Sequence, residues 1–234
     1  MQESAALTMI PPISSPAIAD GEVACAVPAS GHFIPPAPQK GFPSVSPTFK
    51  HGRVPGNTGI WVGIFCVLVE FLLLFGVYFI AKAHHPEAFS SGPDKLATVA
   101  GVAITLLLLT SGYCMVKAVE TIRADRRWAT FRWVALAIVL GCGYPLVKFF
   151  EIRWNVAHGI DGEAGIFYTT YYYLTLNHLV HVSWGLLGLL WVAVRTALGV
   201  YSARDYSGLE AAAVYWHTTD VIWLVIFPFF YVLR

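Results

Sequence analysis

An all-α, polytopic membrane bundle with five transmembrane helices is the fold class this 234-residue sequence predicts. Three observations carry that reading. Five apolar stretches, near 58–81, 97–119, 129–150, 171–198 and 211–233, are each long enough to cross a bilayer, which takes about 20 residues at 1.5 Å each. Charged residues make up only 12% of the chain and apolar ones 56%, against about 25% charge in a soluble domain. The connections between the stretches are short, and three carry turn punctuation: Ser91-Gly92-Pro93, the Asp161-Gly162-Glu163 region and Ser207-Gly208.

The elements justify themselves in order. The first 58 residues hold ten of the fourteen prolines, scattered among Ala, Ser and Gly with no sustained period. Such a segment buries too little apolar surface to offset its ordering entropy, so 1–57 is expected to be a disordered, Pro-rich cytoplasmic tail and 58–234 the membrane domain. No Lys or Arg precedes Lys40 and no long apolar core precedes a cleavage site, which argues against a signal peptide. The span at Ile60 is then the first inserting signal. Basic residues orient the bundle. Lys40, Lys50, Arg53, Lys117, Arg123, Arg126, Arg127, Arg132, Arg195 and Arg204 fall at one end, and Lys82, Lys95, Lys148, Arg153 and Arg234 at the other. The positive-inside rule therefore puts the N-terminus in the cytoplasm and the C-terminus outside. Interfacial aromatics are expected at Trp128 and Trp133 on the inner side, and at Trp154 and 168–173 on the outer side.

Few polar groups enter the spans, and function is to be sought among them. Glu70 is a lone acid in the middle of the first span, where a carboxylate costs roughly 2.5–3.5 kcal/mol on insertion scales. It reads as a proton carrier, a lipid contact, or a protonated acid bonded to histidine. Asn177, His178 and His181 occupy little more than one turn of the fourth span, with the histidines three apart on one face. They suit either metal ligation or hydrogen bonds to neighbouring helices. In the fifth span His217 and Asp220 are again three apart, as a proton relay or, the favoured reading, a static pair. Lys148 and Glu151, near the outer end of the third span, read as an interfacial ion pair that with Arg153 can hold a lipid phosphate.

Other chemistries find less support. Cys66, Cys114 and Cys142 stand singly in three spans and Cys25 lies in the tail, so neither a zinc site nor a disulfide framework is indicated. A di-iron carboxylate bundle needs Glu-x-x-His pairs that are absent here, no CxxCH motif provides for covalent haem, and the net charge of +1 gives no reason to expect nucleic acid.

A resemblance narrows the choice. His178-Leu-Val-His181-Val-x-x-Gly185 resembles the H-G-L-H-V-x-x-G segment of haem–copper oxidase subunit III. Tyr215-Trp216-His217-x-x-Asp220-x-x-Trp223-Leu224 resembles the family's Y-W-H-x-x-D-x-x-W-L ending. Glu70, with Phe71 and Phe75, is similar to its glutamate and aromatic run, and Phe150-Glu151 to its Q-x-x-E-Y region, with Lys148 in place of the glutamine. Longer members have seven helices. This chain looks like the five-helix forms found among quinol oxidases and, through Pro55-Gly56, Leu106–Ser111 and Phe227-Pro228-Phe229-Phe230-Tyr231, like the accessory proteins of nitric-oxide reductase.

The resemblance implies a non-catalytic component of a bacterial respiratory complex in the inner membrane. It would hold no haem, copper or other metal of its own and would pack against the haem-bearing subunit I. There it would bind phospholipid and support assembly and proton delivery in aerobic electron transport. The partner would be a cytochrome c or quinol oxidase, or alternatively a nitric-oxide reductase. An independent membrane metalloenzyme using His178, His181 and His217 is the reading from a different class.

Overall fold

The computed structural model describes residues 54–233, and these are helical almost throughout. α1 (Thr58–His84) starts where the side chain of Asn57 accepts from the Ile60 N–H at 2.9 Å, which satisfies one of the donors a helix start leaves open. It stops at His85, before Pro86, because the residue preceding a proline is disfavoured in helix. A short α2 (Pro86–Ser91) and a 3₁₀ turn (Gly92–Lys95) lead into α3 (Thr98–Arg123). Phe89 of α2 is buried and meets the rings of Tyr78 and Phe167 edge-on.

The third span is two helices, α4 (Arg127–Gly141) and α5 (Gly143–Ala157). Pro145 brings no N–H to the Gly141 carbonyl, so the helix is interrupted at Cys142. The flanking glycines let neighbours close in: a Cβ on Gly141 would sit 2.8 Å from Trp216, and one on Gly143 2.7 Å from Leu107. α6 (Ile166–Ala197) is the longest helix and α7 (Ser207–Tyr231) closes the bundle. Five helical segments are thus long and apolar enough to cross a membrane, with α4 and α5 counted as one.

α3, α4, α6 and α7 pack in a ring, and α1 lies outside it against α6 and α7. The ring interior is aromatic: Tyr144, Trp216 and Trp223 have no accessible surface. α1 buries only Ile64, Val67, Phe71 and Tyr78 and turns residues such as Phe65, Leu72 and Ile80 outward, as a lipid-facing helix should.

The structure bears on two expectations. The tail expected over 1–57 falls mostly outside the described residues, but 54–57 belong to the bundle. The Pro55 carbonyl accepts from the Trp61 indole N–H at 2.9 Å. Gly56 packs so closely that a Cβ would lie 3.0 Å from Ala211 Cα. Gly56 also has φ +77°, a left-handed conformation that glycine adopts without strain. Secondly, the tyrosines at 168–173 do not form an outer interfacial belt. α6 begins at Ile166, which turns Tyr168, Tyr171 and Tyr172 into the bundle and leaves Tyr173, with Trp154, exposed.

Candidate functional site

The polar residues singled out in the sequence form separate groups rather than one buried cluster. The first joins α1 to α6. Asn177 Nδ2 donates to Glu70 Oε1 at 2.7 Å, His181 Nε2 is 3.4 Å from Glu70 Oε2, and His181 Nδ1 is 3.0 Å from the Asn177 carbonyl. Glu70 is not buried: its side chain is 46% exposed on the outer flank. The trio therefore holds a half-open carboxylate against α6. Tyr215 adds α7, its hydroxyl 3.4 Å from the His181 carbonyl.

His178 stands apart from that trio. It has no accessible surface and neither ring nitrogen has a hydrogen-bond partner. Its ring stacks on Trp223 at 5.6 Å and meets Tyr144 edge-on at 5.3 Å. It packs as an aromatic.

His217 and Asp220 lie three apart on α7, where it packs against Gly112 of α3. Their nearest atoms, Nδ1 and Oδ2, are 3.7 Å apart, and the histidine is 40% exposed while the aspartate side chain is 7% exposed. Gly112 of α3 makes the room, since a Cβ there would sit 2.5 Å from Asp220 Oδ2.

The tightest polar group differs from the exposed pair expected at the outer end of the third span: the Lys148 and Glu151 side chains are fully buried within the bundle and 2.9 Å apart. Two tyrosines that the sequence reading missed complete the group. Lys148 Nζ donates to the Tyr171 and Tyr231 hydroxyls at 3.0 and 2.9 Å, and those hydroxyls reach Glu151 Oε1 at 2.8 and 2.7 Å. Every strong donor and acceptor is matched inside the bundle, as a buried ion pair requires. α5, α6 and α7 are thereby tied at one point. The signal available was the paired charge at i and i+3 in an apolar span together with tyrosines near the span ends. Arg153 alone of the proposed lipid-binding set stays on the surface, over the Phe149 ring.

Chemically this arrangement fixes helices. His178 and His181 both meet the Phe71 ring edge-on, but His181 reaches Glu70, His178 packs on Tyr144 and Trp223, and His217 lies beside Asp220. Among the described residues no group of three or more His, Cys, Asp or Glu side chains is placed to hold a metal.

The family model for cytochrome c oxidase subunit III matches residues 51–233, the whole five-span domain. The chain belongs to the cytochrome c oxidase subunit III family. Similar proteins agree. A cytochrome c oxidase subunit 3 from Synechocystis is 30% identical over 195 residues, covering 80% of this chain and 82% of the relative. One from a Bacillus species is 29% identical over 181 residues, covering 75% and 84%. A probable cytochrome c oxidase subunit 3 from Mycobacterium tuberculosis is 25% identical over 185 residues, covering 79% and 90%.

As a subunit III it is a component of a haem–copper oxidase and a multi-pass protein of the cell membrane. Membership implies a complex with subunit I, and the family carries no redox cofactor of its own. The histidines of the two motifs have different surroundings in this member: His178 fills the ring interior, His181 reaches Glu70 of α1, and His217 lies beside Asp220 on its own helix.

Proposed function

We propose that the chain is a non-catalytic brace for the oxygen-reducing subunit I, supporting assembly, lipid retention and proton delivery during turnover. One observation carries this reading. The best-connected polar side chains within the spans tie helices together: the Lys148–Glu151–Tyr171–Tyr231 group joins α5, α6 and α7, and the Glu70–Asn177 bond joins α1 to α6. Support for proton delivery is then indirect, through the position in which subunit I is held.

An apolar groove of about 520 Å³ between α1, α6 and α7, flanked by Trp184 and Trp191 and reaching His181, suits an acyl chain. The relatives' names favour an oxidase partner over a nitric-oxide reductase. The orientation follows from the basic residues, with the N-terminus and the α3–α4 turn cytoplasmic and the C-terminus outside. A reporter fused after Arg234 should report the outer side, and one in the α3–α4 turn the inner side.

The functional test is turnover of the oxidase purified with and without this chain. The depleted complex should keep its haem and its initial rate but lose activity progressively during turnover. A depleted complex that retains haem and copper yet has no activity from the first turnover would refute a non-catalytic role.

A further inference from the structure

At the α3–α4 turn, cations outnumber acids among the described residues. Lys117 and Arg123, just before the turn, are already paired with Glu120 at 2.8 Å and Glu210 at 3.3 Å. Arg126, Arg127 and Arg132 differ: among the described residues no carboxylate forms an ion pair with any of them. The nearest acid in sequence, Asp125, accepts from the Ala203 N–H at 3.2 Å. All three arginines are exposed, and with 125–129 they line a hollow of about 360 Å³. α4 starts at this hollow with no acid in its first turn. Helix starts carry partial positive charge, which adds to that of the grouped arginines and favours an anion there.

A second observation says what kind of anion fits. An apolar groove of about 470 Å³ runs between α4 and α6, lined by Phe131, Ala135, Ile138, Leu190, Ala193 and Leu198. Its end adjoins the arginine hollow. Phe131 lies one turn after Arg127, and the Arg127 guanidinium is 2.6 Å from where a Cβ on Gly199, next to Leu198, would sit. Trp128 beside it is 59% exposed, with the Arg127 guanidinium 5.1 Å from its ring centroid. Tryptophan at that level is an interfacial anchor. A cationic hollow at the membrane surface continues into an apolar groove of membrane depth, and one molecule matches both parts.

We propose that this is a binding site for an anionic phospholipid. Its phosphate is held by Arg126, Arg127 and Arg132, and one acyl chain lies in the α4–α6 groove. Guanidinium forks bind phosphate oxygens in pairs, which suits arginine over lysine here. Asp125 lines the same hollow and opposes the anion, so net attraction rests on three arginines against one acid. The site lies between α4 and α6, apart from the α1–α6–α7 groove.

The test uses the full chain in nanodiscs of phosphatidylcholine with a minor share of phosphatidylglycerol. Lipid retained after mild detergent extraction is counted by native mass spectrometry. Wild type should retain phosphatidylglycerol in preference to phosphatidylcholine. Loss of three interfacial arginines at about tenfold or less each should weaken retention by about a hundredfold in the R126Q/R127Q/R132Q variant. Ala135→Phe, which fills the groove and leaves the arginines intact, should also release the lipid. The single R132Q variant, at an exposed position, should give a partial loss should the triple variant fail to fold. Equal phosphatidylglycerol retention in wild type and the arginine variants would overturn the proposal. Retention insensitive to Ala135→Phe but abolished by inorganic phosphate would overturn the lipid assignment, because the site would then read phosphate alone.

Discussion

The Lys148 ammonium and the Glu151 carboxylate lie 2.9 Å apart, one turn along α5, with neither side chain accessible. Taking one charge away leaves the other uncompensated, which typically costs about 3–5 kcal/mol. Lys148→Met should therefore destabilise the bundle by about that much, less whatever Glu151 recovers by taking up a proton. The Lys148→Met, Glu151→Leu double variant should recover much of the loss, because replacing a whole buried pair by apolar residues is often close to neutral. Thermal unfolding of the purified chain measures both. Equal, small effects of single and double variants would show that the pair carries no such strain.

Gly112 and Asp220 form a second close contact, between α3 and α7. Gly112→Ala places a methyl 2.5 Å from the Asp220 carboxylate, so the helices must separate, at about 1–3 kcal/mol. Combining it with Asp220→Ala should cost less than the two single changes added together, since the clash is then gone. Strict additivity would mean that the two residues do not meet.

His178 provides a contrast with the other histidines. Its nitrogens make no hydrogen bond and its ring stacks on Trp223. His178→Phe should stay within about 1.5 kcal/mol of the parent, as shape-conserving core changes do. His178→Ala should cost about 3–5 kcal/mol through the cavity. A Phe variant as damaged as the Ala variant would assign the nitrogens a role.

Glu70 should follow the chemistry of its partner. Gln keeps an acceptor for Asn177 Nδ2, now 2.7 Å from Glu70 Oε1, whereas Leu removes it at about 1–3 kcal/mol. Glu70→Gln should then be tolerated far better than Glu70→Leu in stability and in retention on the oxidase. A Gln variant that stays assembled yet abolishes turnover would make Glu70 a proton-transfer group.

These contacts show what could be read in advance. Span number was legible, because apolar length is a local property; for Glu70 the sequence left three roles open, of which a histidine contact was one. The burial of Lys148 was not. Charges near a span end usually reach for the interface, and what overrides that here is non-local. The interruption at Cys142 and the early start of α6 bring Tyr171 and Tyr231 onto Lys148 from 23 and 83 residues away. The grouping of the other polar residues is non-local too: equal depth does not imply a shared face, and Glu70, His178 and Asp220 point to three different neighbours.

The chain belongs to a haem–copper oxidase, and we propose that it holds no redox centre itself. Purification of the tagged chain from native membranes in mild detergent, with haem and metal analysis before and after the complex is dissociated, tests it most directly. Haem and copper should co-purify with the intact complex, and the dissociated chain should contain neither. Near-stoichiometric metal on the dissociated chain, lost in a His178→Ala, His181→Ala double variant, would contradict the account.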